Sequence, residues 1–154
     1  MAPKATLVNA DTTTNNIVIV QFNPAFQLSI KLASNHNFTT WKTQVLLLMH
    51  GHNLFGHLYG TIVAPPISLT GNNETTLNPP YMNWFQQDQL VQNTILASVE
   101  PTLASIVTTV TSAHKSWESL HTTFANISHT RIISLQDQLA RITKESRPDS
   151  TFNC

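Results

Sequence analysis

A chain of 154 residues is long enough for one domain with a real core and short for two. Charged residues make up 10% of it and apolar residues 41%, with a formal net charge of zero, so the polar surface has to come from Thr, Asn, Ser and Gln. Between Thr43 and His114 there is no Lys or Arg, and the only charged residues are Glu74, Asp88 and Glu100, which excludes a phosphate-binding face built there by simple electrostatics.

Residues 1–26 are Thr- and Asn-rich with one β-favouring run, Ile17 to Val20, and read as a flexible N-terminal arm. Leu28, Ile30 and Leu32 alternate with polar residues, which predicts a short extended segment packing one face on the body. A turn at Ala33 to Asn37 follows. Thr39 or Thr40 is the expected cap of a first helix carrying Trp41, Val45, Leu48 and Met49 and stopped by Gly51. Leu54 to Gly60 suits a helical turn. From Pro65-Pro66 to Thr76 the chain reads as a polar loop, with Gly71-Asn72-Asn73 its most mobile point.

Asn78-Pro79 supplies an N-cap and a first-position proline for a second helix running to about Ser98. Its buried stripe is expected to use Tyr81, Trp84, Phe85, Val91, Ile95 and Val99, with Asp88 on the same stripe. Pro101 opens a third, shorter helix with Leu103, Ile106, Val107 and Val110. Thr111 or Ser112 caps a fourth helix carrying Ala113, Trp117, Leu120 and Phe124. After a break at Asn126 to Ser128, a fifth carries Ile132, Leu135, Leu139 and Ile142, with Asp137 and Arg141 in the favoured i,i+4 orientation, and Pro148 ends it. The fold class predicted is all-α: a compact bundle of about five short helices over residues 27–147, with a C-terminal tail over residues 148–154. The expected core comprises Trp41, Trp84, Asp88, Trp117, Leu120, Phe124, Leu135 and Leu139.

Two blocks of residues carry a family resemblance. One runs from Ile30-Lys31-Leu32 through Asn37-Phe38-Thr39-Thr40-Trp41-Lys42 to Gly51-His52-Asn53-Leu54-Phe55-Gly56-His57-Leu58-Tyr59-Gly60-Thr61. The other joins Trp84 and Asp88 to Ile95-Leu96-Ala97-Ser98-Val99, Ser112-Ala113-His114-Lys115-Ser116-Trp117, Phe124-Ala125-Asn126 and Leu135-Gln136-Asp137-Gln138-Leu139. In order and spacing these resemble the N-terminal, capsid-like part of Gag polyproteins from plant copia-type LTR retrotransposons. The resemblance implies a helical module that oligomerises into a shell around packaged RNA. It also implies a longer parent, with a second capsid subdomain and a C-x2-C-x4-H-x4-C knuckle beyond this sequence.

Sites of chemistry are sparse. Cys154 is the single cysteine, too few for a disulfide framework or a cysteine-based zinc site, and no metal or other cofactor is expected. His50, His52 and His57 have no carboxylate or thiolate nearby in sequence to complete a tetrahedral set. Trp41, Trp84 and Trp117 lie within apolar stripes without the flanking cations that base-stacking platforms use, which favours packing. A buried Asp88 needs a partner, either backbone amides or an indole N–H. There is no G-x-S-x-G elbow, phosphate loop, H-E-x-x-H helix or D-[ST]-G protease motif, so the chain reads as non-enzymatic, with no small-molecule substrate.

No apolar run approaches a membrane span, and Met1 to Asp11 lacks the apolar core of a secretory signal, so the expected location is the cytoplasm. The expected partner is the chain itself, in a weak homo-oligomer formed through the first helix, the Leu54 to Tyr59 segment and the third helix. RNA is expected only through the complete polyprotein. Two alternatives remain: a nucleic-acid-binding module using Arg131, Arg141, Lys144 and Arg147, or a host adaptor derived from such an element.

Overall fold

The computed structural model describes residues 17–147. Those parts of the expected arm and tail that fall in residues 1–16 and 148–154, with Pro148 and Cys154, lie outside the described residues. Helices dominate, as the spacing of apolar residues requires. Helix α1 (Pro24–Gln27) is a single turn begun by proline. Ahead of it, the Val20 amide donates to Gln87 Oε1 (2.8 Å) and its carbonyl accepts from Gln87 Nε2 (3.1 Å). After it, Leu28 and Leu32 are buried in an extended stretch. There the Leu32 amide donates to the Ser98 carbonyl (2.8 Å) and the Glu100 amide to the Leu32 carbonyl (2.9 Å).

Helix α2 (Asn35–Gly51) starts several residues before the threonines expected to cap it. Ser34 is the cap: its Oγ accepts from the His36 amide, and Asn37 Oδ1 reaches back to the Ser34 amide. That reciprocal arrangement, with Asn in place of the usual Glu or Gln, satisfies more free amides than either threonine could. The helix buries Trp41, Val45 and Met49, one residue per turn on a single face. A short helix α3 (Phe55–Tyr59) follows and is ended by Gly60 at φ 71°. A Cβ there would also press on the His114 ring at 3.1 Å, so glycine is required twice over.

The segment expected to be a mobile polar loop is instead a β-hairpin, strands β1 (Ser68–Gly71) and β2 (Glu74–Leu77) pairing antiparallel. Its two-residue turn, Asn72-Asn73, has φ of 49° and 68°, the left-handed pair that matches strand twist and that Asn tolerates better than most residues. Helix α4 (Pro79–Ala97) begins at Asn78. The Asn78 side chain does not cap it but donates to the Pro66 carbonyl at 2.7 Å, closing the base of the hairpin. A 3₁₀ turn (Pro101–Leu103) and helix α5 (Ala104–Thr108) then lead to Ser112, whose Oγ caps helix α6 (Ala113–Glu145).

Helix α6 unites the expected fourth and fifth helices in 33 residues without a break. The polar residues at the expected interruption do not disrupt it, because their groups return to the helix: Ser128 Oγ donates to the Phe124 carbonyl (2.9 Å) and Thr130 Oγ1 to the Asn126 carbonyl (3.0 Å). The core lies where α2, α4 and α5 meet the first half of α6 and includes Trp41, Val91, Ile95, Val107, Trp117, Leu120 and Phe124. Phe38 stacks on Phe124 (centroids 4.9 Å apart) and Trp41 tilts against Trp117 (5.6 Å). The Trp41 indole donates to Ser98 Oγ at 3.0 Å, so its one polar atom is satisfied inside the core.

Three expected core residues are placed differently. Leu135 and Leu139 are 50% and 64% exposed, because the second half of α6 runs past the body and no helix among the described residues faces it. Trp84 is only half-buried. It sits at the start of α4, its indole donating to the Ile62 carbonyl (3.0 Å) and its ring stacking near His57 and Tyr81. On the same turns Phe85 is exposed and Tyr81 half-buried. The i,i+4 pair of Asp137 and Arg141 does not come within ion-pair distance either; among the described residues the contact at that distance is His57 Nδ1 with Asp88 Oδ1 at 3.1 Å.

These placements separate two aromatic and aliphatic truncations sharply. Trp117→Ala should lower unfolding free energy by about 3–5 kcal/mol, as for large core deletions. Leu139→Ala should change it by no more than about 0.5 kcal/mol. Urea denaturation of the two variants followed by tryptophan fluorescence and circular dichroism checks both values.

Candidate assembly surface

The residues best equipped for chemistry meet at Asp88, which α4 carries into the interior at 2% exposure. Its Oδ1 lies 3.1 Å from His57 Nδ1, and its Oδ2 accepts from the Ala113 amide at 3.1 Å. Ala113 is the first residue of α6, so the carboxylate meets a free amide at the positive end of the helix dipole, where an anion is stabilised. The backbone amide is one of the two partner types expected from sequence. Its other partner is His57 and not an indole, a residue that carried no signal in the sequence beyond its place in a Gly-His-Leu segment.

A recess of about 240 Å³ opens beside this group, lined in part by Trp84, Ser112 and His114. Each polar group there already holds structure together. Ser112 Oγ caps α6, and His114 Nδ1 lies 2.7 Å from the Leu58 carbonyl. Replacing Asp88 with Ala leaves the His57 ring and the Ala113 amide without their acceptor. The expected loss is about 2–5 kcal/mol, with Asp88→Asn milder because it keeps one acceptor oxygen; chemical denaturation of both variants is the check.

The three histidines considered as a metal set occupy separate surroundings. His57 is buried against Asp88, His50 stacks on Phe55 (4.7 Å), and His52 meets Phe22 edge-on (5.6 Å). Among the described residues no group of three or more His, Cys, Asp or Glu is placed to hold a metal ion. Nor, among them, is any helix long and apolar enough to cross a membrane.

The surface that stands out is the second half of α6. Every residue from Ala125 to Arg147 is exposed, yet Ile132, Leu135, Leu139 and Ile142, between 50% and 64% exposed, follow one another at steps of three, four and three. Such spacing draws a narrow apolar row along one side of a helix. The sequence displays this row openly; what it does not display is that, among the described residues, no helix covers it. Arg131, Arg141 and Lys144 are exposed on the same half-helix, and Arg147 is exposed just past its end. Arg141, Lys144 and Arg147, at steps of three, form a ridge away from the apolar row, while Arg131 borders the row and approaches His36 Nε2 at 3.4 Å. In the Leu54 to Tyr59 segment, expected to contribute to contacts between copies, Leu54, His57 and Leu58 are buried and Tyr59 is exposed.

His121 marks the root of this half-helix. Its ring lies 4.4 Å from Trp117 and 5.1 Å from Phe38. Burial among these rings holds its pKa below the usual histidine value; a hydrogen bond with the Trp117 carbonyl opposes the shift and nearby Lys42 adds to it. The fold therefore favours the neutral ring. Its contribution is intact above the unfolded-state value of about 6.5 and is lost as pH falls from there through the lowered folded value. Thermal melts should show wild type losing stability relative to His121→Gln as pH drops below about 6.5, with the difference constant above it.

Comparison with known proteins finds similarity to two plant polyproteins. The chain is 29% identical over 133 residues to the retrovirus-related Pol polyprotein from transposon RE1 of Arabidopsis thaliana, covering 86% of this chain. It is 33% identical over 119 residues to the corresponding polyprotein from transposon RE2 of the same plant, covering 74% of this chain. The chain spans only 9% and 8% of the length of these relatives. No protein-family model matches the chain, and no solved structure matches it. The chain is thus similar to a short stretch of transposon-encoded, retrovirus-related polyproteins, a likeness that supports a retrotransposon origin.

Proposed function

We propose that the chain is a capsid-like Gag module of a copia-type element, a structural unit that self-associates during particle assembly, with RNA as the cargo of the complete polyprotein. The observation that carries this reading is the uncovered apolar row on a helix whose other half is built into a folded core. A single domain gains nothing in stability from four large aliphatic side chains left in water, whereas a contact surface needs them. The similarity to retrotransposon polyproteins supports the setting, and the resemblance of the two sequence blocks to copia-type Gag supports the capsid role. The absence of Lys and Arg between Thr43 and His114 leaves the body with little charge to keep copies apart.

A second reading is favoured by the exposed ridge of Arg141, Lys144 and Arg147, which could contact phosphates directly. The two readings respond differently to salt. Phosphate contacts weaken steeply as salt rises, whereas contacts between apolar surfaces do not. Sedimentation velocity over a concentration series should show mass rising gradually above the monomer, with association in the micromolar range or weaker, at both low and high salt. A strictly monomeric chain with a strongly salt-dependent mobility shift on single-stranded RNA would favour the second reading instead.

A further inference from the structure

We propose that the apolar row of α6 is covered by the same row of a second copy, the two half-helices packing antiparallel about a twofold axis near Asp137. The inference rests on the self-association reading and specifies its surface and geometry. Ile132, Leu135, Leu139 and Ile142 take alternate inner positions of two successive heptads. Antiparallel pairing about that axis sets Ile132 opposite Ile142 of the other copy, and Leu135 opposite Leu139. All layers are then aliphatic, with no polar group buried.

The borders of the row decide the direction. One edge carries Arg131, Gln138 and Glu145 at steps of seven, and the other carries Gln136 and Thr143. The first edge therefore runs from positive through neutral to negative. Turned end for end upon itself, it places Arg131 of each copy beside Glu145 of the other, giving two opposite-charge pairs, and Gln138 beside its own copy. Parallel packing brings Arg131 to Gln136 and Gln138 to Thr143, which yields no ion pair. Antiparallel packing also sends the two folded bodies to opposite ends, while parallel packing would force them abreast. Nothing among the described residues obstructs the approach, since this half-helix is exposed on every side. The loose contact of Arg131 with His36 at 3.4 Å would be exchanged for the carboxylate. The cationic ridge of Arg141, Lys144 and Arg147 faces away and stays free.

Sedimentation equilibrium on the whole chain tests the proposal with four variants, circular dichroism confirming that each keeps its helix. Leu139→Lys should abolish association. Arg131→Glu and Glu145→Arg should each weaken it about tenfold, since each turns two attractive pairs into repulsive ones, and the double variant Arg131→Glu/Glu145→Arg should recover wild-type affinity. Four outcomes would overturn it. Association insensitive to Leu139→Lys removes this row from the interface while leaving self-association standing. Sensitivity to Leu139→Lys without a response to the charge reversals, or without recovery in the double variant, rejects the antiparallel register. A wild-type chain that stays monomeric at every concentration overturns the pairing and the self-association reading together. Binding of a single-stranded RNA oligonucleotide by a monomeric chain, lost in Leu139→Lys, assigns the row to RNA instead.

Discussion

The Asp88 carboxylate sits where three helices must agree. It belongs to α4, it meets His57 of α3, and it takes the first amide of α6. A charged group at 2% exposure is tolerable only with its lone pairs engaged, so the two contacts are conditions of folding as much as contributions to it. Because one of them is the leading amide of α6, the direction in which that long helix leaves the body is set at its root. The aromatic layer of Phe38, Trp41, Trp117 and Phe124 then holds the next three turns, and everything beyond Phe124 follows from those two anchorages.

Elsewhere in the interior polar atoms meet neutral partners, apart from Gln44 Nε2, which is buried without one among the described residues. Ser98 accepts from the Trp41 indole and donates to the Ile95 carbonyl, while Gln92 donates to the Val107 and Val110 carbonyls where α5 ends. Side-chain amides and hydroxyls thus take the part that ion pairs play in more charged proteins. Such bonds are little affected by ionic strength, which suits a module whose proposed surroundings include an RNA cargo and its counterions.

Much of this was legible in the residues. The alternation from Leu28 to Leu32, the start of α4 at Asn78-Pro79, the Ser112 cap and the steps of four, three and four from Ala113 through Trp117 and Leu120 to Phe124 each follow from a local rule, and the structure places these elements accordingly. The failures have physical causes as specific as the successes. Asn37 served α2 as a reciprocal cap, a role ordinarily given to Glu or Gln, and so pointed away from the true start. Asn72-Asn73 lacks the glycine that usually announces a tight hairpin, and its left-handed pair was hidden in a polar stretch. At Asn126 to Ser128 the polar residues looked like a break because their ability to bond back to the preceding turn cannot be seen in a one-dimensional pattern. That error also misplaced Leu135 and Leu139. Periodicity identifies an apolar face but not the thing it faces, and a helix folded back on the core has the same signature as one that leaves it.

The continuity of α6 turns it into a measuring element. Phe124 is its last buried residue, and from there to Asp137 the helix advances about 20 Å at 1.5 Å per residue. Two such arms joined about a centre near Asp137 would hold their bodies about 40 Å apart, a separation fixed by residue count and by a helix with no proline or glycine from Ala113 to Glu145 to bend it. Inserting or deleting a residue between Phe124 and Ile132 would alter that span by only about 3 Å, one helical rise per arm, but rotate each body by about 100° around its arm. The length of the polar stretch once read as a break therefore governs the relative orientation of neighbouring bodies far more strongly than their distance.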